Sequence, residues 1–219
     1  MSLIVKENKE STREPVPAGM AHGICYGVID LGTQPGNPAL MIKAARKVII
    51  MFELPDERFD FEKDGKKLNL PRAISSRFTM SLHKKSKLRP ALESWRGRPF
   101  TPAELEGFDL KNLLGVNGLL NIIHEHRNSK TYANISSISP LMKGHPKKAP
   151  ENPTVFYSLP EDPKERIVVP NEFPDWIKKL IMGCEEYVAQ QEAVTGQQEP
   201  TDAELANVSK EELDEDVPF

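Results

Sequence analysis

The hydrophobic positions predict strands over the first half of the chain. Gly23-Ile24-Cys25-Tyr26-Gly27-Val28-Ile29-Asp30-Leu31-Gly32 is rich in β-branched and aromatic residues and bounded by glycines, which predicts a strand ending in a turn at Thr33 to Pro38. Ala44 to Leu54 predicts a second strand, broken by Pro55-Asp56-Glu57. Phe59 and Phe61 then alternate with acids before Lys63-Asp64-Gly65-Lys66, a hairpin signal. From Arg72 to His83 the alternation is clearest, with Ile74, Phe78, Met80 and Leu82 on one side and Ser75, Arg77, Thr79 and Ser81 on the other.

After His83 the period changes. Leu88, Leu92 and Trp95 fall on one helical face, with Ser86 as the expected N-cap. Thr101-Pro102-Ala103-Glu104 combines a capping residue, a proline at the first helical position and an acid at the third, and Phe108 to Gly115 reads as another short turn of helix. Asn117 to His126 and Lys130 to Ile138, joined by Arg127-Asn128-Ser129, predict a closing hairpin. Five or six strands with helices before the last pair fit a small β-barrel.

The flanks differ in kind. Residues 1–19 are Lys-, Glu-, Ser- and Pro-containing and read as a disordered arm, followed by one domain over 20–188. Lys143 to Pro150 is a basic, proline-rich linker, after which Phe156-Tyr157 and Ile167-Val168-Val169 are expected as edge strands. Pro174 to Val188 predicts one terminal amphipathic helix through Trp176, Leu180, Ile181 and Tyr187. Residues 189–219 have too little apolar surface to offset the cost of ordering and read as a disordered acidic tail.

Composition changes the picture through charge. Residues 1–150 hold 24 Lys and Arg against 15 Asp and Glu, a balance of +9, while residues 151–219 hold 5 against 17, a balance of -12. A basic body with an acidic end points to a polyanion-binding surface and a tail of opposite sign. No window is apolar enough for a membrane span and no secretory signal begins the chain, so a soluble, cytoplasmic protein is expected. Cys25 and Cys184 lie far apart without metal-ligand spacing, which argues against a disulfide framework or a structural zinc.

The acidic end closes on Glu211-Glu212-Leu213-Asp214-Glu215-Asp216-Val217-Pro218-Phe219. This tip resembles that of bacterial and bacteriophage single-stranded DNA-binding proteins, whose acidic tails commonly finish in Asp-Asp-Ile-Pro-Phe or close to it. The stretches Ser81 to Arg89 and Leu92 to Thr101 likewise look like bacteriophage proteins placed among replication functions, over a span of residues 22–145. The resemblance implies that Asp214, Glu215, Asp216, Val217, Pro218 and Phe219 dock on other replication and recombination proteins, and that the tail competes with DNA for the basic surface. A terminal phenyl ring filling an apolar pocket, with carboxylates pairing around it, supplies the physical basis.

Sequence-independent binding of a single strand needs cations along the phosphates and flat rings under the bases. Lys43, Arg46 and Lys47 open the second strand; Arg72 and Arg77 flank Phe78; Lys84, Lys85, Lys87, Arg89, Arg96 and Arg98 surround Trp95; Arg127 and Lys130 adjoin Tyr132. Tyr26 and Tyr132, in Gly-flanked and Lys-flanked strands, are further candidate platforms. Phe52, Phe59, Phe61 and Phe78 fit a core first, and Trp95 shares its face with Leu88 and Leu92, so packing competes with stacking there.

Enzyme signatures are missing. There is no Walker loop, no Gly-x-Ser-x-Gly and no His-Glu-x-x-His. His124 and His126 would share a strand face without a carboxylate to complete a metal site, and Asp30, Glu53, Asp56 and Asp60 would have to converge to hold Mg²⁺ for a nuclease. The expectation is therefore a mainly β, OB-like domain with inserted helices, binding single-stranded DNA of a phage replication or recombination system. No catalysis, cofactor or metal is expected, and a homo-oligomer is compatible. The alternatives are a replisome adaptor that binds proteins instead of DNA, and a metal-dependent nuclease.

Overall fold

The computed structural model describes residues 14–196, except 64 and 129. They divide into two compact units, one built from residues up to Asp30 with Arg46–Ser158, the other from Leu31–Ala45 with the chain from Leu159 onward. The stretch 20–188, expected as one domain, runs through both units.

The first unit is a curled, five-stranded antiparallel half-barrel of OB-like type. Its strands are β1 (Gly19–Gln34, whose last residues enter the second unit), β2 (Ala45–Lys63), β3 (Lys66–Thr79), β4 (Asn117–Arg127) and β5 (Lys130–Ser139), in the spatial order β3-β2-β1-β4-β5. A short β6 (Val155–Tyr157) adds in parallel on Gly27–Ile29 of β1. The outer strands β3 and β5 come into contact, which curls the sheet towards closure.

Pro55 does not end the second strand. The ladder with β3 shifts register between Leu54 and Arg58, a bulge that absorbs Pro55-Asp56-Glu57, and pairing resumes from Arg58↔Pro71 to Lys63↔Lys66. The turn residue Gly65 takes φ +72, as a tight hairpin requires.

Between β3 and β4, α1 (Leu88–Arg96) lays Leu88, Leu92 and Trp95 into the core with Val48, Ile50, Phe52, Leu54, Ile74, Leu120, Ile122 and Ile138. Burying each such leucine is worth roughly 1.5–3 kcal/mol. The N-cap position falls on Lys87, one residue later than the expected Ser86, whose hydroxyl still accepts the Leu88 N–H at 3.2 Å, and Gly97 ends the helix at φ +67. Then α2 (Pro102–Glu106) begins with the full capping box of Thr101 and Glu104, and a 3-10 turn covers Leu110–Leu113.

The opposite face of β2 is covered as well. Ile49 and Glu53 are buried there, and the Glu53 carboxylate accepts the N–H groups of Glu151 at 2.9 Å and Asn152 at 2.7 Å and the Asn152 side-chain amide at 2.6 Å. The N-terminal arm is anchored from residue 14. Val16 packs into the core, its carbonyl lies 2.8 Å from His124 Nε2, and the Glu14 carbonyl accepts from Arg72 at 2.7 Å.

In the second unit the expected single terminal helix is two, α3 (Asp175–Met182) and α4 (Glu185–Gly196), separated at Gly183, a weak helix former. Residues 189–196, expected to be disordered, continue α4. Ile167-Val168-Val169 forms no strand; the Ile167 N–H donates to Gln190 Oε1 instead. The Glu186 carboxylate receives the Thr33 N–H at 2.8 Å and the Thr33 hydroxyl at 2.7 Å. Burial raises the Glu186 pKa, but these bonds outweigh it and hold it below the usual range. A side chain at Gly32, at φ +67, would collide with Cys184 Sγ, so that position admits glycine alone. Among the described residues no helix is long and apolar enough to cross a membrane.

Candidate nucleic-acid interface

Three of the expected stacking rings pack against the interior, two of them fully buried. Trp95 is 3% exposed, lies 5.2 Å from the Phe52 ring and donates its indole N–H to the Asn117 carbonyl at 3.0 Å. Tyr26 is 9% exposed, and burial, reinforced by Glu53 and Cys25, pushes its pKa up to about 12. Phe78 packs on the core opposite Val48. Trp95 and Tyr26 are enclosed, while Phe78 is half-buried on the core side of β3.

Tyr132 differs. It pairs with Glu125 across the β4–β5 hairpin and is 48% exposed. Arg127 pairs with Lys130 at the end of the same hairpin. Phe59 and Phe61, expected in the core, stand instead on the far part of the β2–β3 hairpin, half-buried against each other at 6.4 Å and opposite Leu70 and Leu68. The Arg72 guanidinium lies 5.9 Å from the Phe59 ring. Their position beyond the bulge explains the difference, since the hairpin there extends past the core. Alternation with acids, Phe59-Asp60-Phe61-Glu62, was the available signal.

Many of the expected cations are tied to carboxylates. Arg46 pairs with buried Asp30 at 2.5 Å, Arg89 with Glu93 at 2.9 Å, Arg127 with Glu125 at 2.5 Å, and Arg96 and Arg98 both with Glu104. Arg98, then the Thr101 N–H, with Arg96 adding to them, lowers the Glu104 pKa to about 2. The Arg96 guanidinium also lies 4.4 Å from the Phe100 ring and 5.2 Å from Phe108, which makes it part of the packing around α2. Lys47 donates to Thr79 Oγ1 at 2.7 Å.

The remaining cations include one continuous run. Lys84, Lys85 and Lys87 follow one another between β3 and α1, all exposed, and among the described residues no ion pair reaches them. Arg77 is exposed on β3 opposite Ile49 and is likewise without an ion pair. Lys43 is exposed in the second unit, beside the exposed Leu40, Met41 and Ile42 of the β1–β2 connection. Asp214, Glu215, Asp216, Val217, Pro218 and Phe219 lie outside the described residues.

The acids weighed for Mg²⁺ do not converge. Asp30 is held by Arg46, Glu53 by backbone and amide donors, Asp56 by Lys148 and Asp60 by Asn69. His124 and His126 are engaged separately, by the Val16 carbonyl and by the Thr131 hydroxyl. The surface therefore offers cation and ring contacts on β3, the turn after it and the β4–β5 hairpin. No family model, curated protein or solved structure matches the chain, so topology and surface chemistry carry the functional reading.

Proposed function

We propose that this chain binds single-stranded DNA without sequence preference, coating it in a phage replication or recombination system and recruiting partner proteins through its C-terminal tip. In this reading it is a binding protein with no reaction of its own. One relationship supports it above the rest. In an OB-like half-barrel, β5 with the exposed Tyr132 lies against β3, and the chain leaving β3 carries the unpaired run Lys84, Lys85 and Lys87. Lysines along phosphates and a ring under a base are the two contacts that such binding uses. The acidic tail would occupy the same surface until DNA displaces it.

The test is anisotropy of a labelled oligo-dT against a duplex of equal length over a salt series. Single-strand binding should be the tighter of the two. Replacing Lys84, Lys85 and Lys87 together by alanine should lower the slope of log affinity against log salt by about 2, from about 0.7 per lost phosphate contact. Deleting residues 211–219 should tighten binding at low salt. A duplex bound as tightly as the single strand, or an unchanged slope in the triple variant, would overturn the reading.

A further inference from the structure

A cavity of about 380 Å³ in the first unit is lined by Met20, His22, Asp56, Glu57, Met142 and His145, among others. Three ligand-type side chains meet there from distant parts of the chain. His22 comes from β1, Asp56 from the bulge of β2, and His145 from the turn after Gly144, which takes φ +87. One ligand atom from each lies within 4.8 Å of the others, and the His22 and His145 rings meet edge to face at 5.2 Å.

The orientation of the His22 ring follows from its neighbours. Asn117 donates its amide to the carbonyls of Gly115 and Lys148, both at 3.0 Å, and its Oδ1 accepts the Lys148 N–H at 2.9 Å. That pattern orients Oδ1 as an acceptor. His22 Nε2, 2.8 Å from Oδ1, must therefore be the N–H donor. The second ring nitrogen is Nδ1. It is buried, in a residue only 6% exposed, has no hydrogen-bond partner and faces Asp56 Oδ2 at 3.7 Å.

A histidine whose outer nitrogen is held by an amide oxygen while the inner one points at a carboxylate and a second imidazole has the arrangement of a metal ligand with its supporting hydrogen bond. Asp56 is prepared in the same way. Its Oδ1 takes the Lys148 ammonium at 2.5 Å, which leaves Oδ2 turned towards the His22 ring.

We infer that His22 Nδ1, Asp56 Oδ2 and His145 form a binding site for a divalent transition metal ion of the zinc class. Two imidazoles and one carboxylate suit such an ion better than Mg²⁺ or Ca²⁺, which favour oxygen shells. Ligand atoms around tetrahedral zinc stand about 3.5 Å apart. An inward movement of the exposed His145 turn by about an ångström closes the present spacing. Glu57 also lines the cavity. Bound metal would tie the basic 143–148 segment to β1 and β2. The site is independent of the DNA-binding proposal.

The test uses the full chain, freed of metal by a chelator, and Co²⁺ and Zn²⁺ alone as probes. Co²⁺ should give the visible absorption of a low-coordinate site at one ion per chain, displaced by Zn²⁺. His145→Ala, on an exposed turn where folding is not at stake, should lose the band and weaken Zn²⁺ by about tenfold or more. His126→Ala, in the β4 histidine pair, should leave both unchanged. Absence of the band in the wild-type chain, or its persistence in His145→Ala, would overturn the inference.

Discussion

Trp95 and Asn117 are joined by an indole-to-carbonyl hydrogen bond of 3.0 Å, which seats the ring over the next residue, Gly118. A methyl group at Gly118 would lie 2.5 Å from Trp95 Nε1 and 2.9 Å from its Cδ1. Gly118→Ala should therefore lower unfolding free energy by about 1–3 kcal/mol, the usual cost of overfilling a packed site. Urea denaturation followed by Trp fluorescence measures it. A stability equal to wild type would show that the ring is not confined as described.

The burial of Trp95 and the exposure of Tyr132 separate stability from binding. Tyr132→Ala should weaken oligo-dT binding by about 1–3 kcal/mol, the worth of one stacked base, with little change in melting temperature. Trp95→Phe should show the reverse pattern, losing the bond to Asn117 and ring area in the core. Equal loss of DNA affinity in both variants would contradict the assignment.

Glu104 links acidity to the packing of α2. Its carboxyl titrates at about 2 in the folded protein instead of 4.5, because Arg98, the Thr101 N–H and Arg96 stabilise the charged form. A depressed carboxylate adds stability that is complete above its unfolded value and is lost as pH falls from about 4.5 through about 2. The melting-temperature difference between wild type and Glu104→Gln should thus be largest near neutrality and shrink across that window. A constant difference down to the lower end would rule out the linkage.

Cys25 should be chemically silent. Burial raises its thiol pKa to about 12, so almost no thiolate exists near pH 8, and no solvent reaches the sulfur. Titration with a disulfide reagent should label Cys25 only after denaturant is added. Stoichiometric labelling of that residue in the native chain, located by mass spectrometry, would contradict its placement.

Local signals agree with the structure where the physics is local. The capping box at Thr101 and Glu104, the Asp64-Gly65 hairpin signal, the alternation through Ile74 and Phe78 and the Leu88, Leu92, Trp95 stripe each depend on neighbours a few residues away. Pro55 reads locally as a strand breaker, whereas the bulge that accommodates it is a property of two paired strands. The Pro174 to Val188 stripe concealed the break at Gly183, since periodicity alone does not register one weak helix former.

By itself, then, the sequence determined a mainly β body with a helix before the closing hairpin, and the opposed charges of body and tail. The tertiary structure alone decided which cations are spent on carboxylates, which rings are enclosed, and that residues 22, 56 and 145 meet. Strand order and curl bring those groups together over long chain separations, and no periodic pattern encodes distances of that kind.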